Sequence, residues 1–335
     1  MAASLTSGKC RKATPHYADA LAPVFRLNPS PFRPLPRALD DAGRPRRVGL
    51  ELEFTALSER RAAAVLARSF GGEVEEEDPH AFHLVGSALG KLSVELDLRH
   101  VHPHRRLGHP APWLRPPAST WLGAAASMIV PRELVTEPIE PARFGEVDRA
   151  AGLLQSAGAQ GAGVTAFGSL GLHFNVAPAS LAPATILATL QAYLVLEDWL
   201  RAQTLNSRAL RFFAPPVFPA AYRDRVLAPD YRPDLPLLCE DYLAANPTRQ
   251  RGLDLLPLFL DRLGSRIAGR IVDKVKPRAV LHYRLPVAYV GVPGWSAAQD
   301  WNNWIEVERL AGDAERLARL AARRREGKPV DAADD

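Results

Sequence analysis

Apolar and polar residues alternate over VGLELEFT at 48–55: Val48, Leu50, Leu52 and Phe54 fall on one side of an extended chain, Glu51 and Glu53 on the other. The same period of two returns at 92–99, where Leu92, Val94, Leu96 and Leu98 alternate with Ser93, Glu95, Asp97 and Arg99. It returns again at 170–176, where Leu170, Leu172, Phe174 and Val176 alternate with Gly171, His173 and Asn175. Each stretch predicts a strand with one greasy face and one chemically active face. FHLVGSALGKLSVELDLRHVHP predicts two strands about a tight turn between Gly86 and Gly90, RELVTEPI a further strand, and AVLHYRLP at 279–286 a last one.

Helical spacing fills the intervals. SERRAAAVLARSFGG predicts a helix with Ser58 as N-cap and Gly71 as C-cap. A second helix is expected from about Phe144 to Ala157, and a long, largely buried one from Pro183 to about Ser207. Residues 210–276 read as helical and loop-rich with proline stops. WNNWIEVERLAGDAERLARLAARRRE reads as one helix packed through Trp304, Val307, Leu310 and Leu317. Together these elements predict an α+β fold, an antiparallel sheet with helices on one face and the other face open. The Pro- and Arg-rich residues 1–46 predict an extended or partly disordered arm, 47–325 a single domain and 326–335 a flexible tail.

Composition narrows the class. A chain of 335 residues can bury a large core, and 47% hydrophobic with 24% charged residues is ordinary for a globular protein. No run of about 18 apolar residues is available to span a membrane, and no apolar leader segment is visible. Cys10 and Cys239 alone provide neither a disulfide framework nor a Cys-based zinc site, so a cytoplasmic protein without a membrane partner is expected. The net charge of +5 comes from an arginine-rich chain with no nucleic-acid-binding signature, and no nucleic-acid partner is expected.

The open face would carry Glu51, Glu53, Glu95, Asp97, His173 and Asn175. Solvent-facing strand surfaces mix Lys, Arg, Thr and Glu, whereas these positions are acidic or His/Asn. An oxygen-rich cluster suits a hard cation such as Mg²⁺ or Mn²⁺, and one His among carboxylates does not argue for zinc. Four carboxylates exceed what one Mg²⁺ takes from protein, so two or more ions with a nucleotide would balance the charge.

The succession GLELEF, SVELDLRHVHP, RELVTEPI, GLHFNV, DYLAANPTRQRGLDLLPLF and KPRAVLHYRLP, from about Arg47 to Leu320, resembles the putative amidoligase family of bacteria and fungi. That family is related to glutamate-cysteine ligases and glutamine synthetases. The resemblance implies a glutamine synthetase-like catalytic fold whose open face binds ATP and Mg²⁺ or Mn²⁺. It also implies ATP-dependent amide formation between a small-molecule or short-peptide carboxylate and an amine, through an acyl phosphate. By the same resemblance Glu51, Glu53 and Glu95 are metal ligands with Asp97 secondary, and Glu133 is a metal or substrate contact. His173 would face nucleotide phosphate or metal, and Asn175 on the same face would bind cofactor or fix a substrate carboxylate or amine. Arg249 and Arg251 of NPTRQR, with His282 and Arg284 of HYRLP, would be the cations for phosphate and the departing oxyanion. A blander assignment pairs Arg249 with Asp254. The chain departs from the family pattern at Gln250, at Glu137 and at Val85, Gly86 and Ser87. A non-catalytic nucleotide- or metal-binding member and a metal-dependent hydrolase are the alternative functions.

Overall fold

The alternating segments pair into one antiparallel sheet in a computed structural model that describes residues 31–97, 130–162, 170–205, 208–271, 273 and 275–334. Its eight strands are β1 (Val48–Phe54), β2 (Glu73–Asp78), β3 (Ala81–Ser87), β4 (Gly90–Leu96), β5 (Arg132–Thr136), β6 (Leu172–Val176), β7 (Leu253–Asp254) and β8 (Leu281–Tyr283). They lie in the order β2-β3-β4-β5-β1-β6-β8-β7, which puts β1 in the interior. The helices are α1 (Glu59–Phe70), α2 (Phe144–Ser156), α3 (Pro183–Thr204), α4 (Arg208–Phe213), α5 (Ala220–Val226), α6 (Leu235–Ala245), α7 (Leu256–Leu263), α8 (Ser265–Ala268), α9 (Ala298–Gly312) and α10 (Ala314–Arg325).

The greasy set of each strand forms the core. Val48, Leu50, Leu52 and Phe54 of β1 are fully buried, as are Leu92 of β4, Phe174 and Val176 of β6 and Tyr283 of β8. Burying each such side chain contributes about 1.5–3 kcal/mol, so the face that turns inward is decided by these residues and the polar set must turn the other way. α3 is apolar nearly all round and packs against α9 and α10, while α1 covers β3 and β4. Phe144, Phe174 and Trp301 meet within 4.7–6.2 Å between ring centroids, tying α2, β6 and α9 together.

α1 runs between the predicted caps, with the Ser58 hydroxyl accepting from Arg61 N–H. Two expectations change. No strand is expected from EVEEED, yet β2 forms there as the sheet edge, because its backbone pairs with β3 while its acids stay in water. Charge on an edge also discourages pairing with another chain. The C-terminal helix, expected as one, is two: the chain breaks at Asp313, which leaves helical geometry (φ −113°, ψ 92°) and accepts from Arg316 N–H as the N-cap of α10.

Residues 31–46 form no regular helix or strand but are anchored. Arg33 pairs with Glu306, Leu35 is buried, and Arg46 makes a bidentate pair with Glu308 at 2.6 and 2.7 Å. Residues 1–30, Leu98, Arg99 and Ser207 lie outside the described residues. Among the described residues no helix is long and apolar enough to cross a membrane.

Candidate active site on the open sheet face

Directly opposed residues on neighbouring strands project to the same side, with Cβ atoms about 4.5–5.5 Å apart. The register places Glu95 opposite Glu133 and Glu133 opposite Glu53, a row of three acids across β4, β5 and β1. One step along, Glu51 stands opposite His173 on β6. Asn175 stands opposite His282, and His282 opposite Asp254, across β6, β8 and β7. The polar face therefore has an all-oxygen band and a nitrogen-rich band, with Glu51 at the junction.

Glu51 is the most connected of these side chains. Its Oε1 accepts from Asn175 Nδ2 at 2.8 Å and lies 3.6 Å from Arg278 Nη2. Its Oε2 is 3.1 Å from His173 Nδ1 and 3.6 Å from His282 Nε2. Among the described residues, the one set of three whose ligand atoms lie within 4.8 Å of one another is Glu51, His173 and His282. The sequence expectation put the metal on carboxylates with His173 facing phosphate or metal; the structure brings both His173 and His282 to Glu51.

Electrostatics separates the bands. Burial works to raise Glu51, but the facing His173 and His282 outweigh it and hold its carboxyl well below the ordinary range. Burial pulls His173 down to about 4 in spite of its bond to Glu51, so the ring is neutral at pH 7. Glu53 accepts the Gly171 N–H at 2.7 Å, yet burial, reinforced by Asp97 and Glu51, pushes it up to about 7. Glu133 is driven well above the ordinary range by burial and by the charges of Glu51, Asp97, Glu53 and Glu95. Burial and mutual repulsion thus oppose full ionisation of Glu53 and Glu133 in the acid row. Asp97, just past the end of β4, is exposed at its rim.

The predicted cations divide. Arg284 carries a buried Nη1, and Arg249 a buried Nε, with no hydrogen-bond partner among the described residues. Arg284 feels Glu51 and Glu53, and Arg249 acts on Asp97. Arg251 is turned elsewhere: its Nε donates to Asn246 Oδ1 at 2.7 Å and its Nη1 to Val217 O at 2.6 Å, clamping the loop before α5. Asp254 does not pair with Arg249. Its Oδ1 accepts Leu256 N–H at 2.9 Å and its Oδ2 faces His282 Nδ1 at 3.7 Å.

Three contributors were missed by sequence reasoning. Asp254 carried a signal, an acid set in the apolar run LDLLPLF, and it is fully buried. Arg278 lies in the KPRAVLHYRLP segment but no local pattern aims it at Glu51. Gly171 matters by what it lacks: a Cβ there would sit 2.4 Å from His173 Nε2, so glycine leaves room for the ring. A cavity of about 610 Å³ lies on the other side of the sheet, among Leu281, Thr189, Arg46 and Glu308.

An α+β protein whose open sheet face gathers acids, histidines and guanidiniums with unbonded buried nitrogens from six strands and their flanks has the anatomy of an enzyme. The chain belongs to the family described as putative amidoligase enzyme, whose profile matches residues 44–306, and so to a ligase-type enzyme family. No curated protein and no solved structure matches it.

Proposed function

We propose that this protein is an ATP-dependent carboxylate–amine ligase working on the open face of a glutamine synthetase-like sheet. The supporting observation is a pair of complementary deficits. Glu53, Glu95 and Glu133 crowd three carboxyls into one row where burial and repulsion oppose the ionisation of Glu53 and Glu133, while Arg249 and Arg284 leave buried donors without partners. A triphosphate with divalent cations relieves both at once, since cations neutralise the acids and phosphate oxygens accept from the guanidiniums.

The acid row fits Mg²⁺ or Mn²⁺, because its donors are all hard oxygens. Such an ion, held by Glu53, Glu95 and Glu133 with Asp97 at the rim, would supply neutralisation of the triphosphate charge. Arg284 and Arg249 bind and orient the phosphates. The substrate carboxylate oxygen attacks the γ-phosphorus and ADP leaves, giving an acyl phosphate. The amine nitrogen then attacks the carbonyl carbon, the C–O bond to phosphate breaks, and the proton lost from nitrogen ends on the departing phosphate. Both steps are governed by positioning and charge neutralisation. Asn175, fixed on Glu51, has a free buried Oδ1 that suits the incoming amine.

Incubation with ATP, Mg²⁺ and a panel of carboxylates and amines tests the reading. ADP is expected only when both acceptor and donor are present, and Glu133→Gln is expected to abolish most of that release. Turnover without nucleotide would make the protein a hydrolase, and nucleotide binding without product from any pair a non-catalytic member.

A further inference from the structure

We propose that Ser93, His83 and Glu77, on β4, β3 and β2, form a second reactive site in which Ser93 takes the acyl group of small aliphatic esters and passes it to water, without nucleotide.

The three side chains are joined by two hydrogen bonds. Ser93 Oγ lies 2.8 Å from His83 Nδ1, and His83 Nε2 lies 2.7 Å from Glu77 Oε2. An ionised carboxylate only accepts, so Nε2 carries a proton and donates to Glu77. In the neutral ring that leaves Nδ1 as an acceptor, and the Ser93 hydroxyl must donate to it. The hydroxyl proton is therefore already directed at a base, the arrangement that turns a weak alcohol into a nucleophile. Sheet pairing explains the first bond, because Ser93 stands directly opposite His83. It does not explain the second, because the residue opposite His83 on β2 is Glu75. The pairing of β2 with β3 shifts between Glu76 and Asp78, which leaves Glu77 as the extra residue of a bulge, and a bulge re-aims a side chain. Glu77 is thus a positioning residue, holding the His83 ring and fixing its proton.

The surroundings suit a small acyl group. The His83 and Glu77 side chains are 19% and 24% exposed and Ser93 is half-buried, so a reagent can reach them while bulk water is partly held off. Val135 of β5 stands opposite Ser93 on its other side and gives the acyl chain an aliphatic neighbour. Lys91, two residues before Ser93, shares its face and is exposed, a cation for the developing oxyanion. Glu95 follows about 6.6 Å along the strand, so the site borders the acid row without sharing a side chain with it. In the first step Ser93 Oγ bonds to the ester carbonyl carbon, the bond from that carbon to the alkoxy oxygen breaks, and the hydroxyl proton passes through His83 to the departing alcohol. Water oxygen then bonds to the acyl carbon, the bond to Oγ breaks, and a proton of the water returns through His83 to Ser93.

The test treats the full-length protein, without ATP or Mg²⁺, with a serine-directed alkyl fluorophosphonate, which bonds to Oγ as fluoride leaves. Mass spectrometry of the digested chain is expected to place a single adduct on Ser93, and the adduct is expected to stop the hydrolysis of p-nitrophenyl butyrate. His83→Gln is expected to slow labelling about 10²–10⁴-fold. Glu77→Ala is expected to lower the maximal labelling rate while the half-saturating reagent concentration stays the same, a split that a purely structural role would not produce. No adduct on the unmodified chain, adducts spread at equal rates over other serines, or labelling of a folded His83→Gln variant at the unmodified rate would overturn the proposal. The first two outcomes are read on the unmodified chain and do not depend on how a variant folds. The reaction needs neither ATP nor an amine, and the ligase assay contains no ester, so either reading can fail while the other stands.

Discussion

Glu51 joins two kinds of chemistry in one side chain. One oxygen is fixed by Asn175 and Arg278 and the other addresses two histidines, so its charge organises the nitrogen band while adding to the field on Glu53 and Glu133. Glu51→Gln keeps the size and loses the charge. Ligase kcat/KM is expected to fall about 10²–10³-fold, the scale at which one preorganised electrostatic group acts, and steady-state kinetics would check it. Gly171→Ala is expected to displace the His173 ring and lower activity comparably, although it adds a single methyl group. A different residue controls stability against pH. Asp300 is buried between α3 and α9, held by Thr204 Oγ1, and burial pushes it up from an ordinary 3.8 to about 7. A raised carboxyl is favoured folded when protonated, so its contribution is fully present below about 4 and is lost as pH rises through about 7. His173, lowered to about 4, works the opposite way, its contribution being lost as pH falls below about 6.5. Asp300→Asn is expected to flatten the decline in denaturant midpoint between pH 5 and pH 8 and to raise stability most at the alkaline end.

Helix and strand ends carry their own accounts. The break between α9 and α10 rests on Asp313, whose carboxylate accepts an otherwise unpaired N–H and favours the positive end of α10. Asp313→Ala is expected to lower unfolding free energy by about 1 kcal/mol, measurable by urea denaturation, with no change in the spacing of the site residues. β2 shows the reverse situation, a strand made by its neighbour. Its side chains are exposed and acidic, and Arg60 and His83 hold Glu76 and Glu77 at 2.7 Å, so pairing with β3 rather than residue preference makes it extended. The two-residue β7 is equally indebted to β8, and its placement beside β8 brings Asp254 against His282.

At the scale of the molecule, the irregular segment before β1 is joined to the far end of the chain. Arg46 is buried, bidentate to Glu308 of α9, and donates also to Ala177 O at 2.8 Å and Arg37 O at 2.8 Å. Arg46→Ala would leave Glu308 buried without its countercharge, although Trp304 Nε1 still donates to it at 3.0 Å. The expected loss is about 3–5 kcal/mol, seen as a lower denaturant midpoint. The site contributes in the other direction. Cations and nucleotide that bind only the folded sheet should raise thermal stability, by about 2.7 kcal/mol at a hundred times the dissociation constant. Differential scanning calorimetry with Mg²⁺ and a non-hydrolysable ATP analogue would show a concentration-dependent rise, and Glu133→Gln would reduce it.

Much of this was legible in the chain itself. A period of two is a local property of extended backbone, so Leu50 and Leu52 could be assigned inward and Glu51 and Glu53 outward before any strand was paired. Caps at Ser58 and Gly71 are local as well, and the ordered motifs pointed to the family that the profile over 44–306 bears out. Register is not local. Whether Glu53 faces Glu133, whether His282 arrives beside Glu51, and whether Arg251 reaches the site or is spent on Val217 depend on partners many residues away. The alternating pattern set which side each acid takes, and long-range pairing and packing chose its companions, because a repeat of two residues holds no information about which strand lies alongside.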